Sequence, residues 1–353
     1  MKALIYQGNN TFSLQDRPRP TILFPSDAII KVTKATICGT DLHIIKGDVP
    51  SCQPGRVLGH EGVGIVDSVG VSVTRFKKGD RVLLSAISNC ATCEYCRRNM
   101  YSHCTTGGWI LGHTVDGTQA EYVRIPHAES SLHLIPPGVD EASLVLLSDI
   151  FPTALECGVQ NGRVQPGSTV AIVGPGPVGL AALITAQMYS PSKIIMIGTN
   201  AKRLEVAKQL GANVTINIKD GDVVSKVQDL TEGKGCDTVI EAAGVPEAFE
   251  LTQDLVAPGG VIASVGVHGT KADLHLQNLW NRNITITTRL IDSVSTPMLL
   301  KQIATGKLQL HSDKLITHRY KLDDIETAYK TFSQARETGA LKVVIDMEST
   351  TSN

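Results

Sequence analysis

The strongest constraint in the sequence is Gly174-Pro175-Gly176-Pro177-Val178-Gly179, a G-x-G-x-x-G turn. It directly follows the apolar run TVAIV and opens an apolar, helix-like stretch over 178–189, and a second strand-like run, 193–197, comes next. In that context the three glycines have separate tasks. The first makes the turn, the second lets backbone approach a pyrophosphate, and the third lets helix and strand pack closely. The helix N-terminus then faces the phosphates. Further buried-strand runs at 214–218, 238–242 and 261–265 alternate with helical segments such as 203–210, closed by Gly211. Such alternation predicts an α/β, doubly wound parallel sheet.

The first 150 or so residues read differently. Short β-type segments at 28–33, 62–68, 80–84 and 120–125, punctuated by Gly, Pro and Asp, argue for an irregular β-rich domain. After about residue 295 helix and strand segments return and end on LKVVID, followed by a polar ESTTSN that reads as frayed. A length of 353 residues suits two domains. The formal net charge of -1 leaves no broad basic surface for nucleic acid or an anionic membrane. No run approaches the roughly 20 apolar residues of a membrane span. The start, MKALIYQGNN, lacks a signal-peptide core, so the cytoplasm is the expected location.

Eight cysteines are unusual for a chain with these features, because disulfides are neither needed nor expected. Their spacing decides their use. Cys90, Cys93, Cys96 and Cys104 place four soft ligands in one loop, which suits a closed, tetrahedral structural zinc. An iron–sulfur cluster is disfavoured by the spacing and by the lack of Pro after Cys104. A zinc ribbon that binds nucleic acid is disfavoured by the balanced charge.

At the end of the second strand, a site for NAD carries an acid that accepts from the ribose 2′-hydroxyl. Here Gly198, Thr199, Asn200 and Arg203 stand instead. No carboxylate repels a 2′-phosphate, Thr199 and Asn200 can donate to one, and Arg203 can neutralise it. NADP(H) is therefore favoured over NAD(H). The alternative is a solvated Arg203 and a site that takes NAD(H) without the acid. Cys38-Gly39-Thr40-Asp41-Leu42-His43, Gly59-His60-Glu61 and Asp149 offer a scattered set of thiol, imidazole and carboxylate. Three protein ligands with an open position make a catalytic zinc site, but spacing alone does not assemble these.

The stretch GHEGVGIVDSVGVSV, the Cys38-x-Thr40-x-x-His43 segment, the four-Cys run and GPGPVG occur in the order of the zinc-containing medium-chain alcohol dehydrogenases. The sequence resembles that family over nearly its whole length. The resemblance implies a β-rich, GroES-like catalytic domain split over 1–150 and 296–353, carrying a structural zinc lobe at about 90–104. It implies a Rossmann cofactor domain over 151–295. It further implies a catalytic zinc on Cys38, His60 and Asp149 with Glu61 beside it, hence two zinc ions per chain. Asp149, where the family often has Cys, is similar to the NADP-dependent secondary alcohol dehydrogenases, as are Trp109, Thr153 and Gly198-Thr199. The four-Cys lobe, Asn200 and Ile218 depart from that branch.

On this resemblance a zinc Lewis acid makes an alcohol more acidic. Thr40 takes the proton and His43 passes it to solvent. Thr153, Val265 and Lys342 are implied to contact the cofactor, Lys342 at a phosphate. Trp109, Ile110, Phe151 and Leu290 are expected to line a substrate pocket in the cleft between domains. The implied substrates are small uncharged secondary alcohols and ketones, with some primary alcohols and aldehydes, and the implied assembly is a homodimer or homotetramer. A polyol or 2,3-butanediol dehydrogenase using NAD(H) is the alternative within the class. A non-catalytic cofactor-binding or zinc-ribbon protein is the alternative outside it.

Overall fold

A computed structural model describes residues 1–347; the 348–353 tail, read above as frayed, lies outside the described residues. The chain divides into two compact units, Met1–Asp149 with the chain from Asp292, and Ile150–Ile291. The return point falls a few residues before 296. Asp292 explains this, because its carboxylate accepts from Ser102 N (2.8 Å) and Ser102 Oγ (2.7 Å) and so ties the chain to the first unit.

The second unit is built on six parallel strands. Their spatial order is Val214–Asn217, Lys193–Gly198, Thr169–Val173, Cys236–Glu241, Val256–Ser264 and Thr285–Thr288. Read in chain order this is 3-2-1-4-5-6, the doubly wound arrangement. Val170, Ala171, Ile172, Ile195, Met196 and Ile197 are fully buried, as expected for central strands covered on both faces. The sixth strand, TITT, is polar and half-buried, which suits an edge.

The first unit carries a seven-stranded, mostly antiparallel sheet around Ala28–Ile37, which pairs with Gly62–Val69, Tyr122–Ile125 and Lys342–Asp346. Gly64 is obligatory at the crossing of the first two strands. A Cβ there would lie 2.6 Å from Ile30 Cγ2 and closer still to the Lys31 carbonyl. Among the described residues no single helix is long and apolar enough to cross a membrane.

The strand Leu132–Leu134 carries a pH-sensitive residue. Burial, aided by the Arg75 charge, pushes the His133 imidazole down to about 4. An unfolded histidine titrates near 6.5, so between pH 6.5 and 4 the unfolded chain takes up a proton that the folded chain refuses. Stability is thus retained above pH 6.5 and lost towards pH 4, by up to about 3 kcal/mol from this group. His133→Gln is expected to flatten that part of a plot of Tm against pH; an unchanged slope would contradict the assignment.

Candidate metal and cofactor sites

Three chain segments converge in the first unit. Strand Ala28–Ile37 runs into Cys38, which starts helix Gly39–Lys46. Ala35 pairs with Gly62, which brings the end of that strand beside His60 and Glu61. Asp149 follows the turn Val145–Ser148, and Ser148 anchors it: Gly62 N donates to Ser148 Oγ, and Ser148 Oγ donates to Gly62 O, both at 3.0 Å. The result is a compact donor set. One ligand atom from each of Cys38, His60, Glu61 and Asp149 lies within 4.8 Å of all the others. His60 Nε2 is 3.4 Å and Cys38 Sγ 3.9 Å from Asp149 Oδ2. A thiolate, an imidazole and a carboxylate converging in this way suit a zinc ion.

The electrostatics agree with a cation site. Burial disfavours charge on His60, but Asp149, Cys38 and Asp41 more than offset it and hold the imidazole well above its usual pKa. A divalent cation would satisfy the same anions in place of that proton. His60 Nδ1 and Asp41 Oδ1 are buried, lack hydrogen-bond partners and lie 3.7 Å apart. This is the position of a carboxylate that orients a metal-binding histidine. Asp41 Oδ2 is held by Cys38 N (2.9 Å) and Gln119 Nε2 (3.1 Å), and Tyr329 OH donates to Gln119 Oε1 (2.7 Å). Glu61 faces the Lys342 ammonium; burial raises its carboxyl to about 7 against that opposing charge. Trp109 stands edge-on to His60 with ring centroids 6.4 Å apart and stacks on His113, giving the set an apolar wall.

The second donor set is the lobe Cys90, Cys93, Cys96 and Cys104, again with all four sulfurs within 4.8 Å. All eight cysteines are unbridged. Backbone N–H groups point at the sulfurs: Cys93 N lies 3.4 Å from Cys90 Sγ, and Cys90 N lies 3.2 Å from Cys104 Sγ. Burial works against charge on Cys90, yet donation from Thr92 and from backbone brings its thiol down to about 5. Burial and neighbouring thiols push Cys96 up to about 12. Sulfurs already receiving N–H bonds are suited to sharing negative charge around a cation.

In the second unit the Gly-rich turn has the form a dinucleotide requires. Gly174 has φ 108°, and a Cβ on Gly179 would collide with the Gly174 carbonyl. A Cβ on Gly176 would meet nothing within 4 Å, so there the backbone faces open space into which a phosphate fits. Gly176 caps helix Pro177–Ala186 without a side-chain bond, and Pro177 occupies its first turn. The remaining N–H groups of that turn, Val178 among them, are orphan donors for an anion. Gly198 ends strand Lys193–Gly198, Thr199 is exposed, and Asn200 Oδ1 caps helix Ala201–Gln209 by accepting from Arg203 N at 3.2 Å. Burial lowers the Arg203 pKa from its usual value. Val265 follows strand Val256–Ser264, and Thr153 ends helix Ile150–Thr153.

Residues 25–137 match the alcohol dehydrogenase GroES-like domain, and residues 177–304 match the zinc-binding dehydrogenase family. An alcohol dehydrogenase of Cupriavidus necator is 36% identical, covering 98% of each chain. The chain belongs to the zinc-containing medium-chain alcohol dehydrogenases. Two solved structures are similar to this dehydrogenase along its length. Zinc dependent alcohol dehydrogenase 2 from Streptococcus pneumonia, in its apo form, has 46% identity and a TM-score of 0.94 with 100% of both chains covered. Alcohol dehydrogenase TADH from Thermus sp. ATN1 has 33% identity and a TM-score of 0.90, with 99% of this chain and 100% of that one covered.

Within the dehydrogenase, two expected site residues, Lys342 and Phe151, stand differently from expectation. Lys342 is fully buried, its ammonium spent on Glu61 and, at 3.4 Å, on the Ile37 carbonyl. Its charge supports the carboxylate and is not presented to a cofactor phosphate. Phe151 is completely buried and offers a ligand no accessible face. Leu290 belongs to the second unit and is exposed. Trp109 lies beside the donor set, and Ile110 is half-buried next to it in sequence. Sequence reasoning missed Asp41, Ser148, Gln119 and Tyr329. Asp41 had a readable signal, since it is an acid three residues into a helix that Cys38 opens, where it accepts from the cap N–H. The others are joined to the site only by tertiary contacts.

Proposed function

We propose that the enzyme interconverts small secondary alcohols and ketones with NADP(H), holding a catalytic zinc on Cys38, His60 and Asp149 and a structural zinc on Cys90, Cys93, Cys96 and Cys104. The observation that carries this reading is the convergence of the Cys38 thiol, the His60 imidazole and the Asp149 carboxylate. When bound, the metal would supply Lewis acidity and the nicotinamide a hydride acceptor.

The chain's own residues manage the proton and the substrate. Thr40 Oγ1 lies 3.7 Å from Cys38 Sγ, so its hydroxyl is placed to take the proton of an alcohol at the donor set. His43 lies one turn further along the same helix. Its Nδ1 is paired with Asp48 Oδ2 at 2.8 Å, which leaves Nε2 to exchange protons with solvent. Trp109 and Ile110 make an apolar wall that favours uncharged substrates. Glu61, neutralised by Lys342, adds a carboxylate that can shift towards the metal site. Gly198, with Thr199 and Asn200 as donors, supports the choice of NADP(H) over NAD(H). Exposed Leu276 and Trp280 near the edge strand Thr285–Thr288 support a homo-oligomer formed through the second unit.

The test is kcat/KM for NADPH against NADH with 2-butanone, and for 2-butanol against sorbitol. A preference of about tenfold or more for NADPH and for 2-butanol is expected. Preference for NADH, or for sorbitol, would overturn the corresponding half of the reading.

A further inference from the structure

The Gly-rich turn lies over the end of the second parallel strand. Val173 pairs with Ile197, and Gly174 N donates to Ile197 O at 2.9 Å. This places Pro175 directly above Gly198. A Cβ built on Gly198 would lie 2.6 Å from Pro175 Cγ and closer still to Cδ, whereas real Cβ atoms essentially never come within 3.0 Å of a heavy atom outside their own residue and its chain neighbours. Two features keep the ring there. Proline fixes its own φ and has no rotamer by which the ring could swing aside. The preceding Gly174 is wedged against the next strand: a Cβ on it would lie 2.9 Å from the Ala242 carbonyl carbon and 3.0 Å from Ala243 N. The turn therefore cannot retreat without disturbing the sheet.

Position 198 is where an NAD site carries the acid that holds the ribose 2′-hydroxyl. We propose that Pro175 is a specificity-determining residue: its ring fills the place a side chain at 198 would need, so Pro175 and Gly198 together exclude the NAD-type carboxylate and leave no acid there to repel a 2′-phosphate. The proposal deepens the NADP(H) reading and rests on it. It also separates two causes of the glycine. Gly198 is required by the ring above it, not only tolerated because no acid is wanted.

The test uses the full chain as wild type, Gly198→Asp and Pro175→Ala/Gly198→Asp, titrated calorimetrically with ADP-ribose and with its 2′-phosphate. Pro175→Ala removes Cγ and Cδ, the two atoms that block the position. Gly198→Asp alone is expected to weaken both ligands about tenfold or more, because the carboxylate displaces the turn that holds the pyrophosphate. The double variant is expected to recover ADP-ribose binding and prefer it about tenfold over the 2′-phosphate. Gly198→Asp alone binding ADP-ribose as tightly as the double variant would overturn the proposal. A wild type that binds the two ligands equally would overturn the NADP(H) reading, while the comparison of single with double variant still decides the role of Pro175. A second readout needs no ligand. Gly198→Ala should lower Tm by several degrees with Pro175 present and by far less with Ala at 175; equal losses in the two backgrounds would remove the steric premise.

Discussion

Asp149→Ala is expected to lower kcat/KM for 2-butanol by at least about a thousandfold and to reduce bound zinc from two ions per chain to one. The carboxylate lies 3.4 Å from His60 Nε2 and is one of the three ligands proposed for the catalytic zinc, so its loss would break that set. Asp149→Cys keeps the formal charge and a zinc ligand, and should retain both metal ions. Metal analysis beside steady-state kinetics checks this. Full activity, or two zinc ions in the Ala variant, would place the third ligand elsewhere.

The second large effect concerns the cysteine lobe and appears as stability. Cys96→Ala is expected to remove the other zinc and lower Tm by roughly 10 °C, the equivalent of about 4 kcal/mol for a unit of this size. Cys96 is buried, and its sulfur lies 3.9 Å from that of Cys90, so the variant opens both a metal site and a small cavity. Scanning calorimetry with and without a chelator separates the two causes. The wild type should fall towards the variant in chelator, whereas the variant should hardly move. A wild-type Tm indifferent to chelator, with zinc shown to be removed, would mean that the lobe folds without its metal.

The sequence announces the second unit almost completely. TVAIV, the six-residue turn and the run KIIMI carry their own periodicity and punctuation, and the structure returns them as adjacent parallel strands around the turn. The polar sixth strand, TITT, was not legible, since a half-buried edge strand with three threonines and one isoleucine has no apolar pattern to read. The cysteine lobe was legible because all its ligands lie in one loop. The Cys38–His60–Asp149 set came from resemblance, because ligands far apart in sequence meet only through the pairing of Ala35 with Gly62 and the Ser148 anchor. Lys342 shows the limit of that route. A basic residue at a matching position says nothing of which way its charge points, and burial against Glu61 decided it. The steric bond between Pro175 and Gly198 was equally hidden, since each residue alone reads as an ordinary turn or strand-end residue.

The central claim is two zinc sites with distinct tasks, and anomalous X-ray scattering measured above and below the zinc edge on crystals of active enzyme tests it most directly. Two peaks per chain are predicted. One should be bounded by Cys38 Sγ, His60 Nε2 and an Asp149 oxygen at about 2.0–2.3 Å, the other by the four lobe sulfurs at about 2.3 Å. Active enzyme with no peak among Cys38, His60 and Asp149 would contradict the account.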